Sequence, residues 1–518
     1  MLPTSSAAAQ GVDPGAVRAL VEAWEAGDVR PFALTVVRHG HVVVDATWAP
    51  YVPGDLVQKY SVSKTFTAAA VGLAVAEGVL DVRAPVASYF PQVTGLGPRA
   101  AAMTVEHLLT MTTGHTVDTG PRLDPDDVVG SFLRAEPEAD PGTVFTYDNA
   151  ATVMLSALVQ QVTGEALHDW LRPRLFDPLG IHEPGWLTVG PYDQGWSGLL
   201  TTTQAVARLG QTLLGRGEYA GTRVLPADWV DVMMAVHTAT DQPGTGEQPD
   251  QDSALGYGYQ MWRSQHGWRG IGAAGQLCLV LPDHDLVLAA CAQTAATQPM
   301  LDAVWEHLLP GVGDPSPADV ATRGIPLVAA HDAPDAQAAD EPTEGADERG
   351  ESDGTAQPDT TVQSDGTAQP DAAVQPDGTD DSLTGFFANR ALPTIASTAP
   401  PDPGRRQLRA VGPAASMVAA SGHVVVRDGH AIFEDASGGV LVVLGDGHWE
   451  RTLTTLPDDT TVATAGTGGW TAPDVLEARI VPLCSPHVLE VRADVAAGTA
   501  DLRWQVEPVG TLTLTRWL

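Results

Sequence analysis

Tyr60-Ser61-Val62-Ser63-Lys64-Thr65-Phe66, followed by the apolar run Ala68-Ala-Ala-Val-Gly-Leu-Ala-Val75, is the stretch that decides how the chain folds. The run predicts a helix over about 62–77 that stops at Gly78. Ser61 then stands where the helix begins, and Lys64 lies one turn later on the same face. A serine hydroxyl is a weak nucleophile and needs a neighbouring base to take its proton. A free lysine titrates near 10.4, so it can serve only if desolvated or placed beside positive charge. The start of a helix carries partial positive charge, which also favours the oxyanion formed after attack. The backbone N–H of Ser61 is a natural donor to that oxyanion.

Ser-x-x-Lys is by itself a weak motif. Its weight comes from composition, because only two of the 28 basic residues are lysines, Lys59 and Lys64. Arginine has taken nearly every other cationic position, and arginine cannot deprotonate inside a protein. A lysine that remains is a candidate for work that arginine cannot do.

Outward from this segment, Asp13-Pro14 opens a helix whose Val17, Leu20, Val21 and Trp24 recur at helical spacing. A hairpin follows, Phe32 to Val37 and Val42 to Trp48, turning at His39-Gly40-His41. Further helices are expected from Thr104, from about Asn149 to Val162, and from Met300 to Leu309. Leu277–Leu281 and Leu286–Cys291 read as two buried strands joined by Pro282-Asp283-His284-Asp285. Helices lying between early and late strands suggest a sheet in which the two ends of the domain pair. At the start of the helix expected from about Asn149 to Val162 stands Tyr147-Asp148-Asn149. The tyrosine hydroxyl could relay a proton and the asparagine amide could orient a lysine. Taken alone, the triplet reads more simply as a turn with Asn149 as helix cap.

As a set, Ser61-Val-Ser-Lys64, Tyr147-Asp-Asn149 and the late Gly/Ala strand resemble the serine β-lactamase and penicillin-binding-protein superfamily. The similarity is greatest to class C β-lactamase-like hydrolases of the esterase type. His107-Leu-Leu-Thr-Met-Thr-Thr-Gly-His115, Pro178-Leu-Gly-Ile181, Gly198-Leu-Leu-Thr-Thr202, Leu225-Pro-Ala-Asp-Trp229 and Gly256-Tyr-Gly-Tyr-Gln-Met-Trp262 extend it from about residue 10 to 312. The resemblance implies an α+β fold: a five-stranded antiparallel sheet flanked by helices, with a helical lobe and the site at their junction. It implies that Ser61 is acylated, that Lys64 and Tyr147 share general-base and general-acid duty, and that Asn149 positions. Lys- or His-Thr-Gly on an edge strand is the family's third motif, and Gly270-Ile271-Gly272 matches it here without the cation. That departure weakens the case for β-lactamase or carboxypeptidase activity and favours esters or amides lacking a carboxylate. The backbone of Ile271 or Gly272 remains a possible second oxyanion donor. Arg269 alternates to the other strand face.

The remainder divides by composition. Between His331 and Ser382 there are 15 acidic residues and one arginine, out of a net charge of -36 for the chain. Residues 352–363, SDGTAQPDTTVQ, are repeated almost unchanged as 364–375, SDGTAQPDAAVQ. Such a segment has too little apolar surface to offset the entropy of ordering, and 313–382 is expected to be a disordered acidic linker. Residues 383–518 carry short strand-like runs between Gly- and Asp-rich turns, which indicates a small β-barrel or sandwich with Trp449, Trp470, Trp504 and Trp517 in its core. The acidic balance argues against nucleic acid as a partner. No apolar run is long enough to span a membrane, and the opening residues have no leader pattern. Cys278, Cys291 and Cys484 show no metal-ligand spacing. The expectation is a cytoplasmic enzyme for small ester or amide substrates, needing no metal or cofactor. D-amino-acid peptidase, weak β-lactamase and non-hydrolytic ligand binding are the alternatives.

Overall fold

The computed structural model describes residues 1–182, 184–241, 250–313, 381–399, 406–414, 423–427, 429–435, 438–456 and 461–508. Helix α1 (Pro14–Ala26) starts as its sequence directs: Asp13 Oδ1 accepts from Gly15 N at 2.8 Å, and Val17, Leu20, Val21 and Trp24 are buried. Strands β1 (Arg30–Arg38) and β2 (His41–Thr47) form the hairpin, with His39 and Gly40 both at positive φ in the turn. The late strands are β3 (Trp262–Ser264), β4 (Gly267–Gly272), β5 (Gln276–Leu281) and β6 (Leu286–Gln293). All pair antiparallel in the order β3-β4-β5-β6-β1-β2. The sheet thus has six strands where five were expected; the additional one is the three-residue edge strand β3.

Side-chain alternation divides the core into two layers. Leu277, Leu279 and Leu281 point to one face with α1 and the segment Met300–Leu309; Cys278 and Val280 point to the other. That second face carries α2 (Ser63–Ala76), α3 (Asn149–Thr163) and α4 (Thr203–Leu214). Helix α2 runs through the middle of the domain. Gly72 lets it do so, because a Cβ there would lie 2.2 Å from the Trp229 indole. Among the described residues, no helix is long and apolar enough to cross a membrane.

The acidic repeats and most of the expected linker, residues 314–380, lie outside the described residues. At its far end the expectation changes, because Asp381–Phe387 is a helix seated on the α1 layer. Leu383 is buried there, and the Phe387 ring meets Trp48 edge-on at 5.6 Å. Ala49 then pairs with the following segment through its N–H to Arg390 O (3.1 Å) and its carbonyl to Leu392 N (2.7 Å).

The remaining strands are β7 (Arg406–Val411), β8 (His423–Arg427), β9 (His430–Asp435), β10 (Gly438–Gly445), β11 (Glu450–Thr455), β12 (Thr461–Ala472), β13 (Val475–Pro482), β14 (Leu489–Asp494) and β15 (Thr499–Trp504). They run in the order β10-β9-β8-β7-β15-β14-β13-β12, closed into a barrel by a β10–β12 pairing, with β11 alongside β12. Of the tryptophans expected in its core, Trp470 is buried among Val442, Leu476 and Ile480. Trp504 is only half-buried, and Trp517 lies outside the described residues. Trp449 is instead at the seam with the first domain, its Nε1 donating to Leu392 O at 3.0 Å. At that seam Phe32, Tyr51, Val57 and Cys291 pack against Leu392, Val481, Leu483 and Val488. Arg451 holds Asp55 through its two terminal guanidinium nitrogens, at 2.9 and 2.8 Å.

Candidate active site

Ser61 sits in a 3-10 turn, Tyr60–Val62, immediately before α2. Between Lys59 and Gly72 every residue is buried except Ser61, which is partly exposed. The turn is held from outside: Lys59 N donates to Leu199 O at 2.8 Å, and Val62 N closes back on Lys59 O at 3.1 Å. Tyr60 has φ of 44°, in the left-handed region that non-glycine residues seldom occupy.

Lys64, 1% exposed, points its amine at three acceptors: Asn149 Oδ1 at 2.7 Å, Ser61 Oγ at 3.1 Å and Trp196 O at 3.2 Å. Its nitrogen lies 4.6 Å above the Tyr147 ring. Burial drives its pKa down to about 7, against the pull of the Asp118 and Asp148 carboxylates. Tyr147 moves the other way: burial raises its pKa well above the ordinary value, while its hydroxyl's hydrogen bond with Ser61 opposes the rise. The Tyr147 ring stacks on Trp262 at 5.6 Å and 23°, and Phe145 and Tyr257 extend this aromatic wall.

Asn149 is not the helix cap. Asp148 caps α3 by accepting from Ala150 N at 3.0 Å, which leaves the Asn149 side chain available. Asn149 N and Nδ2 both donate to Asp118, at 3.0 and 2.8 Å, so the amide oxygen must face Lys64. Asp118 is a site residue that sequence reasoning missed. It lies in the loop after His115, far from either motif, and no spacing rule singles it out.

Gly270 and Gly272 share the α2 face of β4, opposite Cys278 and Gln276. A Cβ on Gly272 would stand 2.5 Å from Lys59 O and 3.1 Å from Ser61 N, so only glycine lets the strand come this close to the turn. A Cβ on Gly270 would be 2.7 Å from Thr65 Oγ1, and the place of a side chain there is taken by the threonine. Ile271, between them, is half-buried. Arg269 pairs with Leu279 on the opposite face, and β4 shows no register shift that would turn it round. It is fully buried and bonded to Arg263 O (2.7 Å), Ser264 Oγ (2.7 Å) and Ser253 Oγ (2.8 Å). Its charge is committed away from Ser61.

A family model for beta-lactamase matches residues 16–309, which contain all of these groups. The chain belongs to the beta-lactamase family. Among curated relatives, 6-aminohexanoate-dimer hydrolase from Paenarthrobacter ureafaciens is 26% identical over 282 residues, 49% of this chain and 71% of that hydrolase. Penicillin-binding protein 4 of Amycolatopsis lactamdurans is 31% identical over 166 residues, 30% of this chain and 41% of its own length. A solved structure of a beta-lactamase-like protein from Bacteroides dorei is 18% identical and covers 57% of this chain and 99% of that one, with a TM-score of 0.49. The matched residues 16–309 take the beta-lactamase fold, and the barrel of this beta-lactamase-family chain lies beyond them.

Proposed function

We propose that the chain forms a Ser61 acyl-enzyme on uncharged esters, with amides as a slower class. The observation that carries this reading is the environment of the Lys64 amine. In its neutral form the amine has two N–H bonds and one lone pair. Asn149 Oδ1 and Trp196 O take the two N–H bonds, and the lone pair is left facing Ser61 Oγ at 3.1 Å. A lysine with its pKa near 7 is deprotonated in a large fraction of molecules at neutral pH. Tyr147, with its pKa raised, keeps its proton. As Oγ attacks the carbonyl, the Ser61 proton passes to Lys64, and Tyr147 donates to the leaving group. In this reading the N–H of Ser61 and a backbone N–H of Ile271 or Gly272 donate to the oxyanion. Lys64 hands its proton back to Tyr147 as the leaving group departs, and the neutral amine then takes a proton from water, which attacks the acyl carbon and releases the acid as Oγ regains its hydrogen.

Strand β4 supports the substrate class. Gly270 offers no cation and Arg269 is engaged elsewhere, so no group on β4 pairs with a substrate carboxylate. A hydrogen bond to a charged group is worth about 1.5–3 kcal/mol, or roughly ten- to a hundredfold in kcat/KM. Tyr147 and Trp262 present an aromatic wall suited to an apolar acyl or alcohol group. The test is mass spectrometry after incubation with a fluorophosphonate, together with kcat/KM for p-nitrophenyl butyrate, nitrocefin, a D-Ala-D-Ala peptide and a linear 6-aminohexanoate dimer. The reading requires an adduct on Ser61 and the ester as best substrate. Nitrocefin turned over as well as the ester would refute it, and the linear dimer as best substrate would move the function to the amide class of the relative.

A further inference from the structure

The Tyr60–Val62 turn is held from two directions, and one of them is the C-terminal barrel. From within the first domain, Lys59 N donates to Leu199 O at 2.8 Å, and β4 approaches so closely that a Cβ on Gly272 would meet Lys59 O and Ser61 N. From the barrel, residues 484–487 run alongside residues 51–60: Tyr51 Oη donates to Ser485 O at 2.7 Å and Gln58 N to Cys484 O at 2.9 Å. The contact nearest the nucleophile is Tyr60 Oη to His487 Nε2, at 2.7 Å.

Its polarity is determined by the other ring nitrogen. His487 Nδ1 lies 2.9 Å from Val506 O, and a carbonyl can only accept, so Nδ1 carries the hydrogen. The ring is 0% exposed, packed edge-on against Tyr60 and Trp504, and burial pulls its pKa down to about 4. A neutral imidazole with its hydrogen on Nδ1 presents Nε2 as a pure acceptor. Tyr60, whose own pKa is raised by burial, is the donor.

Tyr60 is also the residue at φ 44°. A non-glycine residue in the left-handed region is strained and persists where its surroundings over-determine it. Here the strained residue immediately precedes Ser61, so its conformation sets where Oγ projects. We propose that His487 is a positioning residue for the nucleophile: by accepting the Tyr60 hydroxyl it holds the turn from which Ser61 projects, and this makes the barrel a working part of the hydrolase. The proposal rests on Ser61 being the nucleophile, as argued above.

The test uses the full chain. His487→Phe keeps a ring and removes the acceptor, Tyr60→Phe removes only the donor, and His487→Gln puts back an acceptor at similar reach. Each is read by kcat and KM on p-nitrophenyl butyrate, by the rate of fluorophosphonate labelling and by thermal melting. Both Phe variants should lose roughly tenfold in kcat and in labelling rate, with KM within about twofold. His487→Gln should recover most of that loss, and the double variant should be no worse than either single one. A role in packing alone would show additive losses, no rescue by glutamine and a fall in melting temperature without a kcat-specific effect; that pattern would overturn the proposal. If His487→Phe does not fold, Tyr60→Phe decides, since unchanged kcat in that variant overturns it equally. Absence of a Ser61 adduct in the wild type would instead bring down the hydrolase reading and this proposal with it.

Discussion

Two lysines, five residues apart, meet opposite fates. Lys64 is buried but has three oxygen acceptors, and its pKa comes down to about 7. Activity that needs the neutral amine should therefore rise with pH along a limb centred near 7 in kcat/KM; a profile flat from pH 5 to 9 would exclude Lys64 as base. Lys64→Arg keeps the charge without the lone pair and should cost about 10²–10⁴-fold. Lys59 is also 1% exposed, yet its Nζ has no hydrogen-bond partner among the described residues, and burial lowers its pKa. Its folded pKa lies below the unfolded one, so the unfolded state binds more protons and stability rises as pH climbs between the two values. Lys59→Met should raise the melting temperature at neutral pH, and the gain should shrink as pH approaches 10.5. No gain at pH 7 would point to a partner for that ammonium. Ser61 and Lys64 were legible because lysine is scarce and the helix behind them is apolar. Asp118 and His487 were not, because their partners lie 31 and 427 positions away in the chain.

Strand β4 shows the same limit at the level of elements. Period-two alternation read from the sequence puts Arg269 on the strand face opposite Gly270 and Gly272, as its pairing with Leu279 bears out. It could not show that Thr65 fills the place beside Gly270. Gly270→Lys alone should therefore destabilise the fold by overpacking, typically about 1–3 kcal/mol. Gly270→Lys combined with Thr65→Ala should recover stability and improve turnover of carboxylate-bearing substrates relative to p-nitrophenyl esters. An unchanged ratio in a folded double variant would remove position 270 from substrate selection. Helix α1 followed its Asp13-Pro14 start and apolar spacing closely, whereas α3 formed where expected but with Asp148, not Asn149, as its cap. The edge strand β3 escaped notice because three residues are too few to show a period, and it exists only by pairing with β4.

At the scale of the whole molecule, composition separated the chain into three parts, but it could not reveal that the last part returns to the first. The helix Asp381–Phe387 and the seam around Phe32, Tyr51, Val481 and Leu483 depend on which surfaces meet, and composition carries no record of that. Removing residues 330–378, which stops short of this helix, should leave kcat within about twofold, since none of the groups described around Ser61 belongs to that stretch. Ending the chain at Gly313 should lower both stability and kcat, because Phe32, Tyr51, Val57 and Cys291 would be laid open to water. Equal behaviour of the two truncations, measured by melting and by ester turnover, would show that the barrel is dispensable.

The docking of Leu383 and Phe387 beside Trp48, and of Arg451 on Asp55, has a consequence for how the molecule can be made. These contacts do not require the peptide link between residues 313 and 381. Two separate polypeptides, one ending near 313 and one beginning near 381, would carry complementary surfaces and could assemble as a split enzyme, the smaller fragment switching on the larger.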